Sequence, residues 1–118
     1  MISNQENLKV LQKAHAFTLK IYRLTNDFPK QEQFRLIAQV CRSASSVPAN
    51  IAEGFKKKGR LDKVRFMNIA QGSLEECRYY LILSNDLEYA NTMKLMLQLE
   101  EVSKLLFSYS AAMAGAVS

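Results

Sequence analysis

Apolar residues recur along the chain at alternating intervals of three and four, the spacing that places them on one face of an α-helix. Val10, Ala14, Phe17, Ile21, Leu24 and Phe28 form the first run, which the polar stretch NDFP closes. This predicts a first helix over about 6–26. Pro29 suits the first turn of a second helix, because the amide hydrogen it lacks would have had no partner there. Phe34, Ile37, Cys41, Ala44, Pro48, Ile51 and Phe55 continue the pattern and predict a helix over about 29–58. A third stripe, Phe66, Ala70, Ser73, Cys77, Tyr80, Ser84 and Leu87, lies beside a second one of Met67, Leu74 and Leu81, over about 62–86. That apolar surface is wider than one partner helix requires and fits burial against two neighbours or another subunit. Leu95, Leu99, Val102, Leu106, Tyr109 and Met113 mark a fourth helix over about 92–112, with Asn91 or Thr92 as its cap and a small-residue tail expected to fray. Four helices with short connectors predict an all-α, antiparallel up-down four-helix bundle in one domain spanning 1–118.

The stretch SVPANIAEGFKKKGR (46–60) places a proline and a glycine inside the second helix. Two readings stay open: a bend within one long helix, or a true break with Ser46 as cap and Pro48 in the first turn of a new helix. Pro48 falls in phase with the apolar stripe, which favours the bend. An interior proline costs about 3 kcal/mol in isolation, so packing must hold it. Ser43, Ser45 and Ser46 are candidates to bond carbonyls freed at the bend. Gly54 implies fraying or the close approach of a neighbour, and Gly59 is expected to end the helix as a left-handed residue.

Composition adds little to fold class but narrows compartment and chemistry. Apolar residues at 48% and charged residues at 23% are near globular averages. No apolar run approaches the roughly 20 residues that cross a bilayer, and the N-terminal segment lacks the pattern of a secretory leader. Cys41 and Cys77 stand 36 positions apart without a CxxC and read as reduced, buried thiols of a cytoplasmic protein. His15 is the only histidine, so a metal site has no ligand spacing to support it and none is expected, nor is a cofactor. Glu75-Glu76 and Glu100-Glu101 are adjacent pairs; neighbours on a helix point about 100° apart, poor geometry for paired acid–base work, so they read as solvent-facing charges. No phosphate-cradling glycine loop or nucleophile elbow occurs, and an enzyme is not expected.

Charge gives the strongest functional signal. Sixteen Lys and Arg face eleven Asp and Glu, and Lys56, Lys57, Lys58, Arg60, Lys63 and Arg65 fall within ten positions opposed only by Asp62. A cluster of this kind suits phosphate contacts, which release condensed counterions and weaken with salt; the plainer reading is a solvated helix–helix corner. Arg42, Asn50 and Glu53 flank Pro48 and are read as structural or subunit contacts around it, with Glu53 placed to pair with Lys57 one turn on. No aromatic base-reading pattern is present, so binding would be directed at shape and backbone.

The runs QKAH, IYRLTNDFP, SVPANIAEGF and RFMNIAQGSLEE together resemble the four-helix-bundle proteins encoded in intervening sequences of bacterial 23S ribosomal RNA genes, over roughly 8–106. Leu11 departs from that pattern, where many relatives carry tryptophan. The resemblance implies a left-handed bundle assembled as a ring-like homopentamer. It extends to the accessory proteins of diversity-generating retroelements, which implies partnership with structured RNA, an RNA–DNA hybrid or a reverse transcriptase. A ring would repeat the basic cluster fivefold around one axis. The leading expectation is therefore a non-catalytic nucleic-acid-associated scaffold, and the alternative is an accessory subunit of a reverse transcriptase.

Overall fold

Helical spacing becomes helix along almost the whole chain. The computed structural model describes residues 4–115. Its elements are α1 (Asn4–Thr25), a 3-10 turn (Lys30–Glu32), α2 (Leu36–Lys56), α3 (Arg60–Asp86) and α4 (Met93–Gly115). Of the tail expected to fray, 114–118, Ala114 and Gly115 continue α4, and 116–118 lie outside the described residues.

Residue pairings establish how the helices run. Between α1 and α2, Thr18 reaches Ala44 and Thr25 reaches Cys41. Between α2 and α3, Ser43 meets Glu76 and Ser46 meets Ser73. Between α3 and α4, Gln71 meets Ser103 and Thr92, just before α4, meets Leu81. In each pair one number rises as the other falls, so sequence neighbours are antiparallel. Each helix packs closely on two others, α1 on α2 and α4, and α3 on α2 and α4; across the α2–α4 diagonal the Phe55 and Tyr109 rings stand 5.4 Å apart. The result is the predicted up-down four-helix bundle. Val10, Phe17 and Ile21 of α1, Val40, Val47 and Ile51 of α2, Met67, Leu74 and Leu81 of α3, and Leu99, Val102 and Leu106 of α4 are at most 2% exposed. Burying each such large side chain contributes about 1.5–3 kcal/mol. Both predicted stripes of α3 enter this core, which accounts for its wide apolar face; Leu87 at their end is exposed.

The second helix starts later than its apolar spacing suggests. Pro29 is extended (φ −55°, ψ 139°) and leads into the 3-10 turn, not into α2. Glu32, buried under the end of the bundle, accepts a hydrogen bond from the Tyr89 hydroxyl at 2.8 Å, and the Phe28 and Tyr89 rings lie 5.4 Å apart. This turn covers the bundle end, and Phe34 beyond it is 86% exposed instead of heading the apolar stripe. The residues of α2 that enter the core are Leu36, Val40, Ala44, Val47, Ile51 and Gly54, while Ile37, Cys41, Pro48 and Phe55 form its half-buried edge. Two adjacent rows of α2 are both largely apolar; of the expected one, Ala44 and Ile51 enter the core while Ile37, Cys41, Pro48 and Phe55 border it.

α2 runs through Pro48 without interruption, which removes the reading of a true break. Proline leaves the carbonyl four residues earlier without its usual amide donor. That carbonyl belongs to Ala44, and Thr18 of α1 donates its hydroxyl to it at 3.0 Å, with the Ala14 carbonyl at 2.9 Å as the competing acceptor. The expected serines act elsewhere: Ser45 bonds the Arg42 carbonyl and Ser43 reaches Glu76.

Gly54 marks the close approach that its position implied. A Cβ there would stand 2.4 Å from Met67 Cε and 3.0 Å from Phe66 Cβ. Gly59, by contrast, is extended (φ −81°, ψ 141°) and precedes α3, so it is not a left-handed helix end. α2 has already ended at Lys56, and Lys57 is extended. The left-handed residue is Glu88 (φ 64°), after α3, where the Tyr89 amide closes onto the Ser84 carbonyl at 3.0 Å. Cys41 and Cys77 are both free, and burial pushes the Cys77 thiol up to about 12.

Candidate nucleic-acid interface

The basic cluster occupies the tight corner between α2 and α3, and helix electrostatics organises it. The last carbonyls of α2 lack the amide donors of a further helical turn, that of Gly54 taking the Lys57 amide at 3.1 Å instead, and form a negative end, while the first turn of α3 is a positive end that disfavours nearby cations. Lys63, one turn into α3, resolves the conflict by folding back onto α2: its Nζ donates to the Phe55 carbonyl at 2.9 Å and lies 3.5 Å from that of Gly54. Asp62 sits in the first turn of α3, where its charge is favoured, and Arg65 pairs with it at 3.5 Å.

Phe66 gathers two further cations. Its ring, almost fully buried, has Lys57 Nζ at 5.0 Å and the Arg65 guanidinium carbon at 4.8 Å from the centroid. Such contacts contribute about 0.5–1 kcal/mol each at exposed sites. Lys57 is thus directed to Phe66, and the expected pairing of Glu53 with Lys57 is not made, because the chain has left the helix by Lys57. Lys56, Lys58 and Arg60 are exposed. The corner therefore divides into cations that bind the protein itself, Lys57, Lys63 and Arg65, and cations turned outward, Lys56 and Lys58 above all.

The residues singled out around Pro48 separate likewise. Asn50 is half-buried and donates to the Ser46 carbonyl at 2.8 Å and the Ser46 hydroxyl at 2.9 Å, while Ser73 of α3 donates to the same hydroxyl at 2.9 Å. This polar seam spans the proline, with Asn50 past it bonding back to Ser46 before it, and Ser46 tying α2 to α3. Arg42 and Glu53 are exposed, away from that seam. The carboxylates expected to face solvent largely do, with Glu75, Glu76 and Glu101 exposed and Glu100 half-buried, and they also form pairs: Glu75 and Glu100 both bond Arg78, and Glu101 pairs with Lys13 at 3.4 Å. The hydrogen bonds that Arg78 donates to Glu100 and then to Glu75 raise its pKa, so the guanidinium is a fixed charged tie between α3 and α4.

Grooves on the surface are shallow in chemistry. One of about 450 Å³ between α3 and α4 is lined by Val64, Asn68, Gln71, Ser103, Phe107 and small residues of α4. Another of about 340 Å³ lies between Leu8, Leu11, Gln12 and His15 of α1 and Pro48 of α2. Among the described residues no group of three or more His, Cys, Asp or Glu side chains could hold a metal ion.

Residues 6–108 match the 23S rRNA-intervening sequence proteins. The chain belongs to that family. A crystallised protein of unknown function from the S23 ribosomal protein family of Bacteroides thetaiotaomicron is 27% identical to it, over 90% of this chain and 98% of that one, with a TM-score of 0.80. No curated protein matches. Family membership agrees with the motifs that carried the resemblance, SVPANIAEGF and RFMNIAQGSLEE, which structurally are the two sides of the α2–α3 corner and seam. Among the described residues no helix is long and apolar enough to cross a membrane.

Sequence reasoning grouped the six basic residues correctly in space but could not divide them. Whether a lysine caps a neighbouring helix or faces water depends on where that helix ends. Spacing alone carries no signal for Lys63 as a cap or for Phe66 as the seat of two cations.

Proposed function

We propose that this protein is a non-catalytic, cytoplasmic nucleic-acid-associated bundle that holds structured RNA, or an RNA–DNA hybrid, through its phosphate backbone. The observation that carries the reading is the exposure of Lys56 and Lys58 at a corner whose own carboxylate, Asp62, is taken by Arg65. Lys57, Arg60, Lys63 and Arg65 complete the basic surface, with Lys63 and Arg65 acting mainly through the fold. Each phosphate neutralised releases condensed counterions, so affinity falls as salt rises. Pro48 bends α2 in this reading and aims the lysines past the end of the bundle.

Assembly into a homopentamer would repeat the corner around an axis. Exposed apolar side chains support self-association: Met93, Leu97 and Phe107 on α4 are each more than two-thirds exposed, at 69%, 67% and 68%. Arg42 and Glu53 are available on α2 for contact with a neighbouring copy.

The test is retention of a structured RNA by the purified protein at micromolar concentration, titrated with salt, beside the Lys56→Ala/Lys58→Ala variant. Salt-sensitive retention that weakens in the variant is expected. Absence of retention by the wild-type protein at low salt would overturn the reading. Light scattering gives the assembly directly, and a mass near the 13.4 kDa of one chain would remove the pentamer.

A further inference from the structure

A second basic surface lies on α1. Between Glu6 and Asp27 the chain has four cations, Lys9, Lys13, Lys20 and Arg23, and no carboxylate. The rest of the chain is close to neutral, with twelve basic residues against eleven acidic ones, so the stretch 7–26 carries four of the five net charges. At about 100° per residue all four cations, with Ala16 between them, fall within about 40° of the direction of Lys9. All five positions are exposed. From Lys9 to Arg23 the stripe is about 21 Å long at about 1.5 Å per residue. Among the described residues only Lys13 has a carboxylate partner there, Glu101 at 3.4 Å, and both side chains are about half exposed; such surface pairs are worth about 0–1 kcal/mol and yield readily to a phosphate.

The stripe also meets the corner. Thr18 lies opposite Ala44 in an antiparallel pair, so moving back along α1 to Lys9 moves forward along α2 to about the level of Glu53–Lys56. We infer that the outer face of α1 is a phosphate track for a nucleic-acid helix, entered at the α2–α3 corner and running along the bundle from Lys9 to Arg23. Phosphates follow one another at about 3.4 Å along the axis of a strand, so the stripe spans about six of them. An anionic membrane is the poorer partner: membrane-surface helices bury an apolar face in lipid, and that of α1, Val10, Ala14, Phe17 and Ile21, is at most 2% exposed inside the bundle.

The inference rests on the nucleic-acid reading above, and one experiment separates the two. Retention of an RNA hairpin is measured against salt for the wild-type chain, for Lys9→Gln/Lys20→Gln/Arg23→Gln, and for Lys56→Gln/Lys58→Gln, with thermal unfolding to verify that each is folded. The α1 variant is expected to lower the steepness of log affinity against log salt by about 2–3, at about 0.7–0.9 per lost contact, and the corner variant by about 1–2. Wild-type binding with an α1 variant of unchanged affinity and slope overturns the track and leaves the corner reading intact. An α1 variant that alters particle mass in light scattering but not the salt slope assigns the face to a second copy and also overturns it. No RNA retention by the wild-type chain sinks the nucleic-acid reading itself.

Discussion

Thr18 donates its hydroxyl to the Ala44 carbonyl at 3.0 Å, the acceptor that Pro48 leaves without an amide. A single hydroxyl on α1 thus offsets the main cost of a proline inside α2. We expect Thr18→Val to lose about 1–3 kcal/mol by stranding that buried carbonyl. Pro48→Ala restores an amide donor within the helix, so the same Thr18 substitution should cost at least about 1 kcal/mol less in the Pro48→Ala background. Urea midpoints of the four proteins measure the coupling, and additive effects would show that Thr18 serves only Ala14.

At Gly54 two effects oppose one another. Alanine improves helix propensity by about 1 kcal/mol, but its Cβ would meet Met67 Cε at 2.4 Å and Phe66 Cβ at 3.0 Å. Met67 is fully buried and has little room to yield. Overpacking costs about 1–3 kcal/mol, so Gly54→Ala should be destabilising by about 1 kcal/mol and Gly54→Val by more. A thermal midpoint equal to or above wild type for Gly54→Ala would contradict the close approach.

Lys63 and the outward lysines should behave as different classes. Lys63→Met removes the cap from the α2 carbonyls and should lower stability by about 0.3–1 kcal/mol. Lys56→Ala/Lys58→Ala should leave stability within about 0.5 kcal/mol of wild type while weakening RNA retention. Unfolding curves and retention assays on both variants separate capping from binding; equal loss of stability in the two would erase the distinction.

Besides Arg78, three groups have pKa values raised in the fold. Burial lifts Cys77 from 9.0 to about 12, a hydrogen bond to Glu32 raises Tyr89, and burial raises Tyr109. Each is neutral when protonated, so the unfolded chain loses these protons first as pH rises. Their contribution is complete below about pH 9, and stability should fall between about pH 9 and 12, with Cys77 alone giving a slope near 1.4 kcal/mol per unit. Denaturant titrations at stepped pH test this, and Cys77→Ala should flatten the decline. Stability constant from pH 7 to 11 would contradict the burial of the thiol.

Tyr89 ties the 3-10 turn to the α3–α4 connector through Glu32 Oε2 at 2.8 Å. Tyr89→Phe keeps the ring against Phe28 but leaves the buried Glu32 carboxylate with Arg35, at 3.7 Å, in place of its hydroxyl donor, and should lower stability. Hydrogen exchange should then rise first in 30–36. Unchanged protection there would show that the aromatic contact suffices.

Much of the candidate interface was legible because it is contiguous in sequence. Lys56 to Arg65 are neighbours in space since a helix–helix corner has little length in which to separate them. Their division was not legible: Lys63 caps α2 because that helix ends at Lys56, and Lys57 turns to Phe66 because the chain is already extended there. The end of α2 is set by packing at the corner, where Gly54 admits Met67 and Phe66 against the backbone.

Periodicity by itself determined the number of helices, their order and most of the core, because a 3.6-residue repeat can bury its apolar face in only one secondary structure. It could not choose between the adjacent rows of α2, and so placed Phe34 on the stripe although the turn at Lys30–Glu32 leaves it in solvent. Tertiary structure decided what lies opposite what: Thr18 beneath Pro48, Glu32 beneath Tyr89, and Ser73 on Ser46. These contacts join residues 26, 57 and 27 positions apart for the bonded pairs Thr18–Ala44, Glu32–Tyr89 and Ser46–Ser73. A local repeat carries no record of them, since they arise only when separate helices meet.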